Sequence, residues 1–295
     1  GISRCFCFCL DEPDRAPAFR AANDRTLAYA ARSQGRVIPF CRLDLNDGPL
    51  EEARRALDLG ARGIKLHPRA QRFDLGDHRL EGVFAVAAER RVPILIHGGR
   101  GLPPIADELG RLVDRFPEAQ LIVAHGHPNA FFDTSAWNPF DLLDFYRQVP
   151  AEQVLYASDY PYGQQPSSLL IAVRTARAAG LGDAQIRALL GDTANALADG
   201  RPTPAPSRPA GSERLALPLV FLRVNAYITM LSPLLWTRQQ DVIGALGLAL
   251  NACAEESPYP GDLERIRDLL AAAGDLWHHL PSITDDRDRW QANRE

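Results

Sequence analysis

Apolar positions along the first two hundred residues fall into short, nearly unbroken runs separated by longer stretches with helical spacing. CFCFC, inside residues 4–10, alternates aromatic and thiol side chains. RVIPFCRLDL (36–45), GIKLHP (63–68), VPILIHGG (92–99), AQLIVAHG (119–126), NAFFDTS (129–135) and QVLYASDYP (153–161) follow. Helix-like segments occupy 17–33, 49–59, 80–90, 104–115, 139–147 and 167–179. Strands alternating with helices of this length predict βαβ units and parallel pairing. Runs entered through Gly or Pro and left through polar turns fit strands buried on both faces. Seven such strands predict an α/β fold of the (β/α)8 TIM type lacking its first strand and one helix. A complete barrel typically takes about 250 residues, and this pattern stops near residue 200. On that reading CFCFC is the second barrel strand.

Two irregularities stand out. Cys5, Cys7 and Cys9 share one face of a strand; they are either a thiolate cluster or small core residues. A closed metal site needs ligands from more than one element, so the core reading is preferred. Between His125 and Phe131 lie only GHPNA, too few for the usual parallel crossover. A deleted helix, a join across a gap, or runs that are not neighbours would each account for this.

At GRPTPAPSRPAGSER the composition turns proline-rich and aperiodic, marking a linker over 200–214 between a barrel of 1–199 and a helical extension of 215–295. Three apolar stripes follow: Leu217, Phe221, Val224, Ile228, Leu231; then Val242, Leu246, Ala249, Cys253; then Leu263, Ile266, Leu270, Ala273. Helices this short are expected to pack on the barrel or on a second subunit, the latter giving a homo-oligomer through them. Adjacent His278 and His279 read as surface residues.

Charge excludes some partners. A net charge of -4, with no basic stripe, argues against nucleic acid. The most apolar stretch, 215–236, carries Arg223 and Asn225 near its centre, which argues against a membrane span. Five cysteines and no visible secretory signal point to the cytoplasm. Residue 1 is glycine, so an upstream segment is expected. All basic side chains are arginine except Lys65. A lone lysine in such a chain marks an enclosed position, either because a guanidinium is too bulky or because it will not serve.

The C-terminal ends of barrel strands carry the chemistry. Those ends hold Lys65, His67, His97, His125, Asp133 and Asp159. One histidine closing a strand is more often a core residue bonded to a carbonyl. His97 and His125 at equivalent positions, with Asp159 ending VLYASD, form an N/N/O set suited to zinc or a similar divalent ion.

LIHGG, VAHG and ASDYP, with GARGIKLHP before them and TANAL after, resemble the amidohydrolase superfamily. The closer resemblance is to the amidohydrolase-related branch that includes aminocarboxymuconate-semialdehyde decarboxylase-like enzymes. It covers residues 1 to about 200. The resemblance implies that His97 is a metal ligand and that His125 is a ligand or activates the bound water. It implies that Asp159 binds the metal and takes the proton of the attacking water. A metal can bring water's pKa to about 7. The family's His-x-His pair belongs to strand one, which is expected to be missing here. Lys65 has three readings: a carbamylated metal bridge, a cation for an anionic substrate, or a space-filling residue. The last two are preferred. Alternation puts Lys65 and His67 on the same face, so both are candidate substrate-binding residues at the mouth. Arg100 and Arg42 are candidate carboxylate clamps, weighed against a surface role. The implied function is metal-dependent hydrolysis of a small molecule, with zinc as cofactor. Non-oxidative decarboxylation is the alternative, and a non-catalytic barrel acting as a partner subunit is the rival.

Overall fold

The computed structural model describes residues 2–9, 15–98, 106–122, 130–135, 137–160, 163, 165–209, 211, 215–236 and 241–279. Seven strands form one parallel sheet in chain order: β1 (Cys5–Cys7), β2 (Val37–Arg42), β3 (Gly63–Leu66), β4 (Ile94–Ile96), β5 (Leu121–Ile122), β6 (Ala130–Asp133) and β7 (Val154–Leu155). With helices between successive strands other than β5 and β6, this is a partial (β/α)8 barrel. Among the described residues, β1 and β7 are its edges.

Side-chain alternation divides each strand between two cores. Ile64, Leu66, Ile94, Ile96 and Leu121 point outward into a core shared with α2 (Pro49–Asp58), α4 (Arg79–Arg90) and α5 (Ala106–Arg115). Ile38, Phe40, Leu95, Ile122, Phe131 and Leu155 point inward, with Phe6 and Phe8 packed against them. Inward positions further along the same strands are Arg42, Lys65 and Asp133, so the apolar layer forms a floor beneath polar groups. The register sets these neighbours: Arg42 pairs with Lys65, and Lys65 with Leu95.

Local chemistry fixes several helix starts. α6 (Pro139–Gln148) begins with Pro139 behind Asn138, whose side chain accepts from the amides of Phe140 and Asp141, both at 3.0 Å. In α1 (Arg20–Arg32), Asn23 donates to Arg42 O and accepts from Arg42 N, each at 2.9 Å, which anchors the end of β2. α7 (Gln165–Ala178) and α8 (Asp183–Arg187) pack with α6 around β7. A π-helical turn then leads into α9 (Thr193–Ala198). Arg4 donates to Asn195 at 3.0 Å and pairs with Asp199 at 2.9 Å, joining the approach to β1 to the end of α9.

One sequence expectation is corrected, and one of three alternatives is closed. The cysteines of CFCFC are not core residues: Cys5 is exposed and Cys7 and Cys9 are half-buried. Alternation gives the inward face of β1 to Phe6 and Phe8. The thiols take the outward face of an edge strand, where partial desolvation keeps Cys5 and Cys7 above the ordinary thiol pKa. Second, β5 and β6 are parallel neighbours, Leu121 facing Ala130 and Ile122 facing Phe131. The dozen-residue rule does not bind here because the paired segments are so short. Returning past about 7 Å of strand and across about 5 Å of sheet needs far less than the roughly 25 Å reach of the seven intervening residues.

The chain divides into two compact units, Gly1–Ser158 with Pro166–Ser212, and Asp159–Gln165 with Glu213–Glu295. The proline-rich segment therefore runs with the barrel unit as far as Ser212. Ser207 donates from its amide (3.0 Å) and its hydroxyl (2.9 Å) to the Glu152 carboxylate, and Gly211 N donates to Arg147 O at 2.8 Å. In the second unit, α10 (Leu219–Trp236), α11 (Val242–Cys253) and α12 (Pro260–His279) turn their apolar stripes toward one another. Val224, Ala249, Ala252, Cys253, Leu263 and Leu270 make its core, so the stripes supply a core of their own. Ala273 and Ile228 are exposed. The side chains of His278 and His279 lie outside the described residues. No helix among the described residues is long and apolar enough to cross a membrane.

Candidate active site at the strand ends

The inward residues at the ends of β2, β3, β4 and β6 converge. Lys65, 7% exposed, sits on β3 with its Nζ 5.1 Å from the centroid of the Phe8 ring. Arg42, 2% exposed, is its register partner; the guanidinium lies 5.4 Å from the Phe19 centroid and donates to Cys9 O at 3.3 Å. Burial, not surface exposure, is therefore the state of both cations.

One residue beyond β3 and β4 stand His67 and His97. Their imidazoles stack, with centroids 3.9 Å apart and planes 15° from parallel. His97 N donates to Leu66 O at 3.0 Å, carrying the β3–β4 ladder one step further and placing the rings side by side. His67 caps the one-turn helix α3 (Pro68–Gln71): its Nδ1 accepts from Ala70 N at 3.2 Å. Its own amide donates to the Gln71 side chain, which in turn donates to Leu43 O.

The electrostatics follow from this crowding. Burial, the neighbouring His97 ring and the charges of Lys65 and Arg42 push His67 down to about 4. Burial and Lys65 also lower His97, with Arg42 and Arg69 acting the same way and Asp133 opposing them. Both rings are neutral at pH 7. Asp133, closing β6, accepts from Ser135 N at 2.9 Å and from the Ser135 hydroxyl. It is the acidic member of the cluster whose field reaches His97.

Of the residues singled out from sequence, the structure brings Arg42, Lys65, His67 and His97 together. Asp159 lies in the other unit, exposed, with its backbone at φ 55° and its carbonyl accepting from Gly163 N at 3.0 Å. His125 and Arg100 lie outside the described residues. Two members of the cluster, Arg69 and Phe8, were not assigned from sequence, and a third, Asp133, was placed at a strand end without a role. Asp133 was visible as an acid ending an apolar run but lacked a motif. Arg69 and Phe8 gave no signal beyond ordinary surface and core patterns.

Among the described residues, no three His, Cys, Asp or Glu side chains converge closely enough to hold a metal ion. His97 has a suitable neutral ring, but its stacked neighbour has Nδ1 committed to a backbone amide. The described residues thus do not make up a metal site on their own. In the second unit a groove of about 520 Å³ runs past Leu217, Pro218 and Tyr259. Its Arg223 is already paired with Glu255 at 2.7 Å, and it offers no cluster of ligating groups.

A family model for amidohydrolases matches residues 10–197. Among solved structures, one described as an amidohydrolase II aligns with a TM-score of 0.51 and 19% identity, over 66% of this chain and 84% of that one. A 2,6-dihydroxybenzoate decarboxylase, solved with 2,6-dihydroxybenzoate, aligns with a TM-score of 0.50 and 18% identity, over 61% of this chain and 76% of that one. A dihydroxybenzoic acid decarboxylase from Polaromonas sp. JS666, solved with manganese and 2-nitroresorcinol, gives 0.48 and 15%, over 62% and 79%. No curated protein matches the chain.

Proposed function

The chain belongs to the amidohydrolase family, and from that premise we propose that its barrel hydrolyses a small, carboxylate-bearing molecule. The family is metal-dependent. The proposed ligand set is His97, His125 and Asp159, and zinc is the proposed ion. The observation that carries the substrate class is the placement of Lys65. It is the chain's only lysine, buried on the inward face beside Arg42, with two neutral imidazoles at the next level. Such a floor suits an anion: the cations supply charge, the rings supply polar groups without adding charge, and Phe8 excludes water.

The same cations favour a second reading. A carboxylate held there can also be the group that leaves, as carbon dioxide. The two reactions are separated by incubating the full chain, with zinc or manganese supplied, with a panel of small carboxylates, their amides and lactones. Hydrolytic product without gas release supports the first reading. Carbon dioxide with no hydrolytic product replaces it with the second. Neither product across the panel leaves a non-catalytic barrel as the reading.

A further inference from the structure

His67 has its proton fixed by the backbone. Ala70 N–H donates to Nδ1 at 3.2 Å, and an amide cannot reverse that role. Nδ1 therefore holds the lone pair, and the proton of the neutral ring sits on Nε2. Pro68, at the first position of α3, starts the turn that places the Ala70 amide under the ring. The Gln71 side chain ties the His67 amide to Leu43 O, and the His97 ring covers one face. Turning the imidazole over would set Cδ2–H against the Ala70 N–H, and moving the proton to Nδ1 would set a ring N–H against it; either loses the cap.

We propose that His67 is a dedicated Nε2–H hydrogen-bond donor to a substrate carboxylate, acting beside Lys65, and is not a metal ligand. The inference rests on the carboxylate reading above. Ligation through Nε2 would need the lone pair there, and the cap to Ala70 puts it on Nδ1. Lys65 and His67 are two residues apart, on the same face of β3 and its extension. An ammonium and a neutral N–H on one face form a charge-plus-donor pair suited to the two oxygens of a carboxylate. The stack also makes His67 a positioning residue for the His97 ring.

The test uses the full chain labelled with 15N-histidine, its His67 signals identified by their loss in His67→Asn. At neutral pH the ring is expected to show a pyridine-like Nδ1 and a pyrrole-like Nε2. The opposite tautomer, or an average of both, overturns the inference. Titration with benzoate is expected to move the Nε2–H signal, while benzamide at the same concentration leaves it in place; no movement with benzoate also overturns it. Asparagine keeps an acceptor for Ala70 N–H, so the variant retains the cap. For any panel substrate turned over, His67→Asn is expected to raise KM about tenfold with kcat little changed, and an unchanged KM counts against the donor role. The two readings fail separately. A benzoate response with no turnover of any panel member removes the proposed function alone. Turnover with the opposite tautomer removes the His67 inference alone.

Discussion

The ring of Phe40 fills the space that a side chain at Gly63 would need. A Cβ at Gly63 would meet Phe40 Cε1 at 2.3 Å, and the two residues face each other across the β2–β3 ladder. Phe40 is 1% exposed and packs on Phe6 with ring centroids 4.7 Å apart, so it has nowhere to retreat. Gly63→Ala is expected to cost about 1–3 kcal/mol, read as a lower urea midpoint with an unchanged slope. The double variant with Phe40→Leu should recover part of the loss. Additive losses would mean that the two positions do not share this space.

Glu52 gives stability a defined pH dependence. Its side chain is fully buried and accepts from Arg55 Nε at 2.7 Å and Nη2 at 2.8 Å, from Asn23 at 2.8 Å, and from Arg20 at 3.4 Å. Burial alone would push its carboxyl up. The Arg55 and Asn23 hydrogen bonds, with Arg20, more than reverse that and hold it below the ordinary carboxylate value. A depressed folded pKa gives stability that is present above the unfolded value of about 4.3 and is lost as pH falls through the folded one. Glu52→Gln should lower stability at pH 7 by about 1–3 kcal/mol and flatten the acid side of a stability–pH curve. An acid limb as steep as wild type would show that other carboxylates carry it.

The proline-rich segment is held to the barrel unit through Ser207 and Gly211. Ser207→Ala removes the hydroxyl bond to Glu152 and the Gln185 bond to that hydroxyl at 2.9 Å. Loss of about 1 kcal/mol of local stability is expected. Limited proteolysis should then cut within 200–211 several times faster than in wild type. Equal cutting rates would mean that these bonds do not restrain the segment.

Metal content tests the proposed ligand set. Full-length protein purified with zinc supplied should bind it, and His97→Ala and Asp159→Ala should each lower the bound metal at least tenfold in affinity. Equal metal in wild type and both variants would remove these two residues from the set.

Much of this architecture is legible in the sequence because strand alternation and helical periodicity are local. GIKLHP and VPILIH each state which residues face inward, and the single lysine marks an enclosed position. What stayed hidden depends on partners far along the chain. Ser207 meets Glu152 across 55 positions, and nothing in a run of prolines shows that bond. The orientation of CFCFC turned on which of two apolar sets, thiol or phenyl, met the interior. Residues 183–198 form helices whose short, alanine-rich pattern lacks a clear stripe. The cap on His67 needs the next three residues to turn, so the motif suggested a polar site but not its proton. Asp133 has no distinctive neighbours in sequence and gains its role only where β6 lies near His97.

Under the proposed function, Lys65 selects a carboxylate at the mouth of the barrel. The most direct measurement is steady-state kinetics of wild type and Lys65→Met on matched substrates that differ only in carrying a free carboxylate or its neutral amide. Wild type should prefer the carboxylate by at least tenfold in kcat/KM, as loss of a charge-assisted contact of roughly 1.5–3 kcal/mol implies. Lys65→Met should abolish that preference while leaving the neutral substrate nearly unaffected. An undiminished preference in Lys65→Met would contradict the claim.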